Sequence, residues 1–147
     1  MSDLPRKAIH LAAGSLAFSL RWLGPFWGAL LALGGCLFNL FVLPRIGGRR
    51  LWRLDEVEAG RSLGIVFYPL AVLLLILAFW RRLEVAAAAW GILAFGDGMA
   101  AVVGTALGWA KLLWNPAKSW VGSAACWLFG TVAAAALLLW TASGRYS

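Results

Sequence analysis

Five long runs with almost no charge divide this 147-residue sequence. Apart from the shorter first run, each approaches the roughly 20 residues that an α-helix needs to cross a bilayer. Lipid cannot pair exposed backbone groups, and the runs lack the alternation of barrel strands, so helices are predicted. The sequence therefore predicts an all-α polytopic membrane protein with about five transmembrane helices, lying within Ala8–Leu20, Pro25–Leu43, Leu63–Trp80, Val85–Ala110 and Ser119–Gly144.

The composition supports the bilayer as the solvent for this chain. Hydrophobic residues make up 63% of the sequence and charged residues 13%, which is more apolar surface than a soluble domain of this size can bury. We expect one membrane-embedded domain over residues 1–147, with the N-terminal segment kept as the first span rather than removed as a signal peptide. Nucleic-acid binding is excluded because the basic residues lie in short loops, not on a folded basic face.

The distribution of Lys and Arg predicts the orientation. Alternating the sides from the N-terminus puts nine basic residues on one side and four on the other, so the N-terminus should be cytoplasmic. We expect an integral protein of a bacterial-type inner membrane, with its polar site at the cytoplasmic face. The nine cytoplasmic residues are Arg6, Lys7, Arg45, Arg49, Arg50, Arg53, Arg61, Lys111 and Lys118, and the other four are Arg21, Arg81, Arg82 and Arg145.

Two further features favour structural interpretations. Leu51, Leu54 and Val57 recur at helical spacing in the longest loop, which predicts a short interfacial helix. Cys36 and Cys126 both lie in apolar runs and are interpreted as small membrane-buried side chains, not as a disulfide or metal site.

One carboxylate, Asp97, lies inside the fourth run, and no other acidic residue lies in any of the five. A charge in a span costs roughly 2.5–3.5 kcal/mol on insertion scales, so it indicates a functional site. Gly96 and Gly98 let the backbone bend or a ligand approach, and Gly104 and Gly108 follow at a spacing that favours tight helix packing. The alternatives are a structural ion pair or hydrogen-bonded acid for Asp97, and packing alone for the glycines.

The segment "NPAKSW" predicts a helix start. Asn115 is a good N-cap and Pro116 fits the first helical position. Free N–H groups at a helix start attract anions, and Lys118 adds a full positive charge there. The hydroxyls of Ser119 and Ser123 lie nearby in the sequence. The segment is therefore a candidate phosphate cradle; the alternative for Lys118 is a snorkelling interfacial lysine.

Asp97 and this segment together predict chemistry at a phosphate. Asp97 could hold Mg²⁺, which takes one or two carboxylates together with phosphate oxygens and water. Lys118 and the helix start would hold the phosphates, and phosphoryl-transfer catalysis is mostly positioning and charge neutralisation. His10 is a candidate base or phosphate contact, or an ordinary interfacial histidine. No P-loop, Rossmann or protein-kinase motif is present.

The sequence resembles the membrane-embedded polyprenol kinases, which include phytol and dolichol kinases and are related to phosphatidate cytidylyltransferases. The resemblance covers essentially the whole chain and is closest to the phytol kinase branch. It rests on four pieces in order: Arg6-Lys7-x-x-His10, the segment Glu58–Leu70, Gly96-Asp97-x-x-Ala100-x-x-x-Gly104-x-x-x-Gly108, and Asn115-Pro116-x-Lys118-Ser119-Trp120-x-Gly122-Ser123.

This resemblance implies a kinase that transfers a phosphoryl group from CTP or another nucleoside triphosphate to a membrane lipid alcohol, such as phytol, another prenol or diacylglycerol. Asp97 and Lys118 would be catalytic, with Mg²⁺ or another divalent cation on Asp97. Gly96, Gly98, Gly104 and Gly108 would shape the backbone at the site. The implied nucleotide and phosphate contacts are Asn115, Lys118, Ser119, Gly122, Ser123, Arg6, Lys7 and His10.

Two other functions stay open at this point. The same residues could serve cytidylyl transfer to a lipid phosphate, or Asp97 could be the ion site of a small transporter or assembly subunit. Val121 stands where many relatives carry Glu, and Thr105-Ala106 where a basic pair often follows. Relatives also usually continue for one or two more helices. The chain could thus be a natural short form, a fragment inactive alone, or a piece that needs a partner or a second copy.

Overall fold

The structure, a computed structural model, describes residues 4–46 and 63–144, with side chains from residue 8 in the first range and from residue 64 in the second. Helices make up nearly all of the described chain, which confirms the all-α prediction. The described chain also contains one small β-hairpin. The elements are α1 Leu4–Ser15, α2 Leu20–Leu37, α3 Leu63–Ala78, α4 Leu83–Gly91, α5 Asp97–Leu107, β1 Lys111–Leu112, β2 Asn115–Ser119 and α6 Trp120–Ser143.

Several of these helices join into longer rods. A 3₁₀ turn, Leu16–Ser19, connects α1 to α2, and a π-helical turn, Phe38–Val42, extends α2. A second π-helical turn, Ile92–Gly96, joins α4 to α5. Three helical stretches of the described chain are long and apolar enough to cross a membrane, namely Ala8–Val42, Leu83–Leu107 and Trp120–Ser143, and Gly64–Ala78 is a shorter apolar helix. Five crossings and a cytoplasmic N-terminus stay predictions, as does the interfacial helix around Leu54, which lies outside the described residues.

The helix α2 is interrupted at Gly24, close to its start. This glycine has φ +68° and ψ 178°, a backbone conformation that side-chain-bearing residues rarely adopt. Pro25 follows, and its fixed φ and missing N–H suit the first position of a new helix. The break falls between the first two predicted runs, Ala8–Leu20 and Pro25–Leu43, so their separation in the sequence corresponds to a real interruption of the helix.

The described chain forms two compact units, residues 4–22 with 82–144 and residues 23–46 with 63–81. The expectation of one domain over residues 1–147 stays a prediction. In the second unit, one polar contact joins α3 to the π-turn after α2. Pro69 has no N–H, so the carbonyl of Ile65 lacks its intrahelical donor. Asn39 Nδ2 donates to that carbonyl at 2.9 Å, and apolar surroundings make such a contact worth forming.

Replacing Asn39 by leucine should lower the free energy of unfolding of the second unit by roughly 0.6–2 kcal/mol, the range measured for interhelical hydrogen bonds in membranes. The physical reason is that the Ile65 carbonyl would have neither an intrahelical nor an interhelical donor. Unfolding of the full chain by denaturing detergent in mixed micelles measures the change.

A double-mutant cycle with Pro69→Ala is the control for the Asn39 prediction. Alanine restores an N–H at position 69, so Asn39→Leu should cost much less in the Pro69→Ala background than in the original chain. An equal cost in both backgrounds would show that Asn39 does not act through the Ile65 carbonyl.

In the first unit, the rod from α4 to α5 packs antiparallel along α6, and glycines line the contact. A Cβ built on Gly96 would lie 3.2 Å from the Cα of Gly130, and one built on Gly104 would lie 3.4 Å from the Cα of Gly122. Facing glycines let the two backbones approach closely, which strengthens van der Waals contact where lipid supplies no hydrophobic driving force. The packing interpretation of Gly96 and Gly104 is therefore supported by the fold.

The opposite end of this unit is braced by Arg21. Its Nη1 donates to Ser143 Oγ at 2.9 Å and to the Trp140 carbonyl at 3.3 Å, and its guanidinium lies 4.4 Å from the centre of a Trp140 ring. Trp140 Nε1 in turn donates to the Phe18 carbonyl at 3.1 Å. A cation at the carbonyl end of α6 complements the helix dipole. These contacts hold the start of α2 against the end of α6.

Candidate functional site

The segment "NPAKS" is a β-strand and not a helix start. β2, Asn115–Ser119, pairs antiparallel with β1, so that Lys111 lies opposite Ser119 and Leu112 opposite Asn115. The prediction that Asn115 caps α6 is wrong: its Oδ1 accepts from the N–H of Ala117 at 3.2 Å, a local turn contact. Asn and Pro signal a turn as readily as a helix start, and here the hairpin supplies the backbone partners.

Ser119 is the N-cap of α6. Its backbone is extended, with φ −130° and ψ 152°, and its Oγ accepts from the N–H of Gly122 at 3.1 Å. Ser123 Oγ donates to the Ser119 carbonyl at 3.2 Å. Both predicted serines therefore lie at the helix start, although their hydroxyls already take part in capping bonds. Two of the first N–H groups of α6 are bonded, Trp120 to the Ala110 carbonyl at 3.0 Å and Gly122 to Ser119 Oγ, so the helix start offers a ligand chiefly its partial positive charge.

The hairpin brings two lysines to this helix start. Lys118 directly precedes the Ser119 cap and is exposed, and Lys111 lies opposite Ser119 across the hairpin and is exposed too. Lys111 is not among the site residues predicted from the sequence. The sequence does carry a signal for the hairpin that positions Lys111. It is the turn-forming segment "WNP", which lies between two short segments bounded by polar residues.

Close packing of α5 against α6 determines where the hairpin lies relative to these two helices. A Cβ on Gly104 would lie 3.3 Å from Ser119 Oγ, and a Cβ on Gly122 would lie 3.1 Å from the Ala100 carbonyl oxygen. At Gly108 a Cβ would overlap the Gly104 carbonyl oxygen and lie 2.5 Å from Ser119 Oγ. These glycines therefore seat the N-terminus of α6, with its lysines, directly beside the C-terminal half of α5.

Asp97 is the first residue of α5, directly after the π-helical turn, and its side chain is exposed. Within the described ranges its carboxylate forms no hydrogen bond or salt bridge. The buried acid of this unit is instead Glu84, at the start of α4, which is bonded to Arg82 Nε at 3.2 Å. Among the described side chains, the buried and paired acid is therefore Glu84, and the structural alternative for Asp97 stays an alternative.

Asp97 lies at the start of α5 and the lysine-bearing hairpin lies beside the C-terminal half of the same helix, and the two are not in contact. Gly104, which is the neighbour of Ser119, lies seven positions after Asp97, and this corresponds to roughly 10 Å of helix rise. No hydrogen bond or salt bridge joins Asp97 to Lys118 in the part of the chain that the structure describes. A ligand that used both would have to be extended, as the phosphate chain and sugar of a nucleotide are.

The N-terminal residues of the candidate site lie in α1. Arg6 and Lys7 belong to its first two turns, and their predicted contact with phosphate stays a prediction. His10 lies against the segment before Asp97, with its Nε2 3.1 Å from the Leu93 carbonyl oxygen. A phosphate contact from the His10 ring would therefore have to use Nδ1.

The groups near Asp97 could hold a divalent cation only if substrate phosphates and water supplied most of its ligands. Among the described residues, no group of three or more His, Cys, Asp or Glu side chains is placed to hold a metal. A single exposed carboxylate agrees with the way in which Mg²⁺ is bound by one or two carboxylates together with substrate phosphates and water. The residues present thus fit Mg²⁺ that arrives with a nucleotide, and they do not form a dedicated protein cage.

Comparison with known proteins gives one consistent result. The chain is 36% identical over 160 residues to "Phytol kinase 1, chloroplastic" of Arabidopsis thaliana, an alignment that covers 98% of this chain. It is 31% identical over 149 residues to "Probable phytol kinase 2, chloroplastic" of Glycine max, again over 98% of the chain. The chain is a phytol kinase homologue. A third relative, "Probable phytol kinase, chloroplastic" of Triticum aestivum, is 37% identical over 146 residues.

This phytol kinase homologue spans about half the length of the curated relatives it matches, 49% of the Glycine max protein and 51% of the Arabidopsis thaliana protein. No family model matches the chain. No solved structure matches it either. The resemblance predicted from the four sequence pieces is confirmed for its phytol kinase branch.

Proposed function

We propose that the chain is, or is part of, a kinase that transfers the terminal phosphoryl group of CTP or another nucleoside triphosphate to a membrane lipid alcohol such as phytol. The observation that carries the proposal is the homology to phytol kinases over 98% of the chain. It is supported by the apolar helices, which give a prenol tail a lipid-like environment. Phytol, another prenol and diacylglycerol all present a hydroxyl on a greasy tail, and phytol is favoured by the names of the relatives.

In this proposal the hairpin and the start of α6 hold the phosphates. Lys118 contributes a full charge, Lys111 a second one, and the partial positive charge at the start of α6 adds to them. Gly104 and Gly108 keep these groups close to α5, because a larger residue at either position would push the Ser119 cap away. Arg6 and Lys7, in the first turns of α1, are proposed to complete the phosphate surroundings.

Asp97 is the proposed holder of the divalent cation, Mg²⁺ by the chemistry of its donors. A cation held there would supply charge neutralisation at the phosphate oxygens. The carboxylate lies at the start of α5 and the hairpin lies beside its far half, so this helix sets the distance between the metal-binding group and the phosphate-binding groups. The prenol hydroxyl is proposed to approach from the lipid side and attack the terminal phosphate.

Two other functions would use the same residues differently. In cytidylyl transfer to a lipid phosphate, the α-phosphate of CTP is attacked and diphosphate leaves. In a transporter or assembly subunit, Asp97 would bind an ion without phosphates. The kinase is preferred because the three relatives described above are named as kinases, and because an ion site would give the lysine-bearing hairpin no role.

The membrane context of this proposal follows the charge distribution. With the N-terminus in the cytoplasm, or on the equivalent side of another membrane, the Arg6–Lys7 pair and the hairpin lysines lie on the same face. The relatives are named as chloroplast proteins, and the bacterial inner membrane stays a prediction.

Replacing Lys118 by alanine should raise the KM for the nucleotide by roughly 10-fold or more, because a charge-assisted phosphate contact is lost while the hairpin backbone stays paired. The KM for the lipid alcohol should change little. The measurement is initial rate against nucleotide concentration for the purified chain in detergent, repeated with four nucleotides and a panel of phytol, farnesol, undecaprenol and diacylglycerol.

The control for Lys118 is Arg81→Ala, which removes one exposed positive charge from outside the hairpin. It should leave both KM values close to those of the unmodified chain. A Lys118→Ala variant with an unchanged nucleotide KM would exclude Lys118 from the phosphate site. Failure of every alcohol in the panel to accept label would contradict the lipid kinase itself.

A further inference from the structure

The backbone just before Asp97 departs from the α-helix, and the departure leaves one carbonyl without its usual donor. In an α-helix the Leu93 carbonyl would accept from the N–H of Asp97, four residues on. Here that N–H bonds to the carbonyls of Ile92 and Ala94 instead, as expected at the end of a π-helical turn. Such turns are uncommon and occur often at functional sites.

His10 supplies a donor to the Leu93 carbonyl from another helix. Its Nε2 lies 3.1 Å from the carbonyl oxygen, across 83 residues of sequence. A carbonyl oxygen can only accept, so the proton of this bond is on Nε2, and this fixes the orientation of the ring. The imidazole therefore replaces a backbone donor at the place where the helix changes its hydrogen-bonding pattern.

α1 packs closely against the residues on both sides of Asp97. A Cβ on Gly14 would overlap the Cβ of Ala94, just before Asp97. A Cβ on Gly98, just after it, would lie 2.6 Å from Leu11 Cδ2 and 3.7 Å from His10 Cδ2. Because Gly14 and Gly98 have no side chains, α1 can lie close enough to this segment for the His10 bond.

We propose that His10 is a positioning residue: its Nε2–H holds the π-helical turn Ile92–Gly96 and thereby sets the direction in which the Asp97 carboxylate points. The inference rests on the proposed function for its catalytic consequence. It assigns to His10 a role different from that of a base or a phosphate ligand, because the ring nitrogen nearest to α5 is occupied by the backbone.

Two substitutions separate these roles, since the amide nitrogen of glutamine reaches about where Nε2 does and that of asparagine about where Nδ1 does. In His10→Asn and His10→Leu, the amides around Asp97 should exchange with deuterium roughly 10-fold faster, because the turn loses its cross-helix bond. In the same variants kcat should fall roughly 10- to 100-fold through misplacement of the carboxylate, with the KM for the lipid alcohol unchanged. His10→Gln should restore both values to within about 3-fold, since it keeps the donor.

The experiment uses the full chain in detergent, with exchange in α6 as the internal measure of global folding. Equal exchange around Asp97 in all variants would overturn the positioning role, even if the chain is an active kinase. An active His10→Asn beside an inactive His10→Gln would overturn it too, since the ring would then act through Nδ1. No turnover in the unmodified chain would refute the proposed function, while the exchange pattern would still decide whether His10 holds the turn.

Discussion

The Asp97→Asn chain is expected to insert and fold like the unmodified protein and to lose phosphoryl transfer by roughly 100- to 1000-fold in kcat, as when a group that stabilises transition-state charge is removed. Asparagine keeps the size of the side chain and removes its negative charge. The carboxylate is exposed and has no partner among the described residues, so the fold should not depend on it. Turnover of labelled nucleotide with phytol, measured against Mg²⁺ concentration, gives the result.

The matched control is Glu84→Gln, which removes the other carboxylate of the same rod. Glu84 is buried and bonded to Arg82, so its loss should lower stability and leave kcat nearly unchanged in the folded fraction. Comparison of the two variants separates a carboxylate that binds ligand from one that stabilises the fold. An Asp97→Asn chain with normal turnover would remove Asp97 from the site, and a misfolded one would make it structural.

Gly108→Ala is expected to have the largest structural effect of any single methyl addition considered for this chain. The new Cβ would overlap the Gly104 carbonyl oxygen and lie 2.5 Å from Ser119 Oγ and 2.8 Å from Ser119 Cβ. Backbone cannot move aside as a flexible side chain can, so the junction of α5 with the hairpin must shift. Overpacking of this kind costs roughly 1–3 kcal/mol and sometimes more. Loss of the Ser119 cap would follow.

Two glycines of the same chain provide a graded comparison for Gly108. Around Gly34 nothing lies within 4 Å of a built Cβ, so Gly34→Ala should be neutral or stabilising by up to roughly 1 kcal/mol through helix propensity. Gly104→Ala should lie between, because its Cβ would meet Ser119 Oγ at 3.3 Å. Detergent-induced unfolding ranks the three. Equal stability of Gly108→Ala and Gly34→Ala would contradict the packing described at the hairpin.

Some of this fold could be predicted because hydropathy and bilayer thickness leave few choices. The apolar runs end close to where the helices end, and Gly24–Pro25 marks an interruption that the pattern also placed there. The hairpin was missed because Asn115 and Pro116 favour a turn as well as a helix start, and only pairing with Lys111–Leu112 decides between them.

The candidate site shows the same division. Asp97 could be selected from the sequence because a carboxylate in an apolar run is costly, yet its exposure and the burial of Glu84 depend on how α4 and α5 rotate against α6. His10 could be selected as unusual, but not its bond to Leu93. That bond joins residues 83 apart in the sequence, so it depends on how closely α1 packs at Gly14 and Gly98 and not on local propensity.

Transfer of the terminal phosphoryl group from a nucleotide to a lipid alcohol can be followed by labelling. The most direct measurement gives the purified chain phytol with CTP labelled in either the γ- or the α-phosphate, and identifies the labelled lipid and the released nucleotide. We expect γ-label on phytol as a monophosphate ester, with CDP released in equal amount. Label from the α-phosphate in the lipid with diphosphate released, or no label in any lipid, would contradict it.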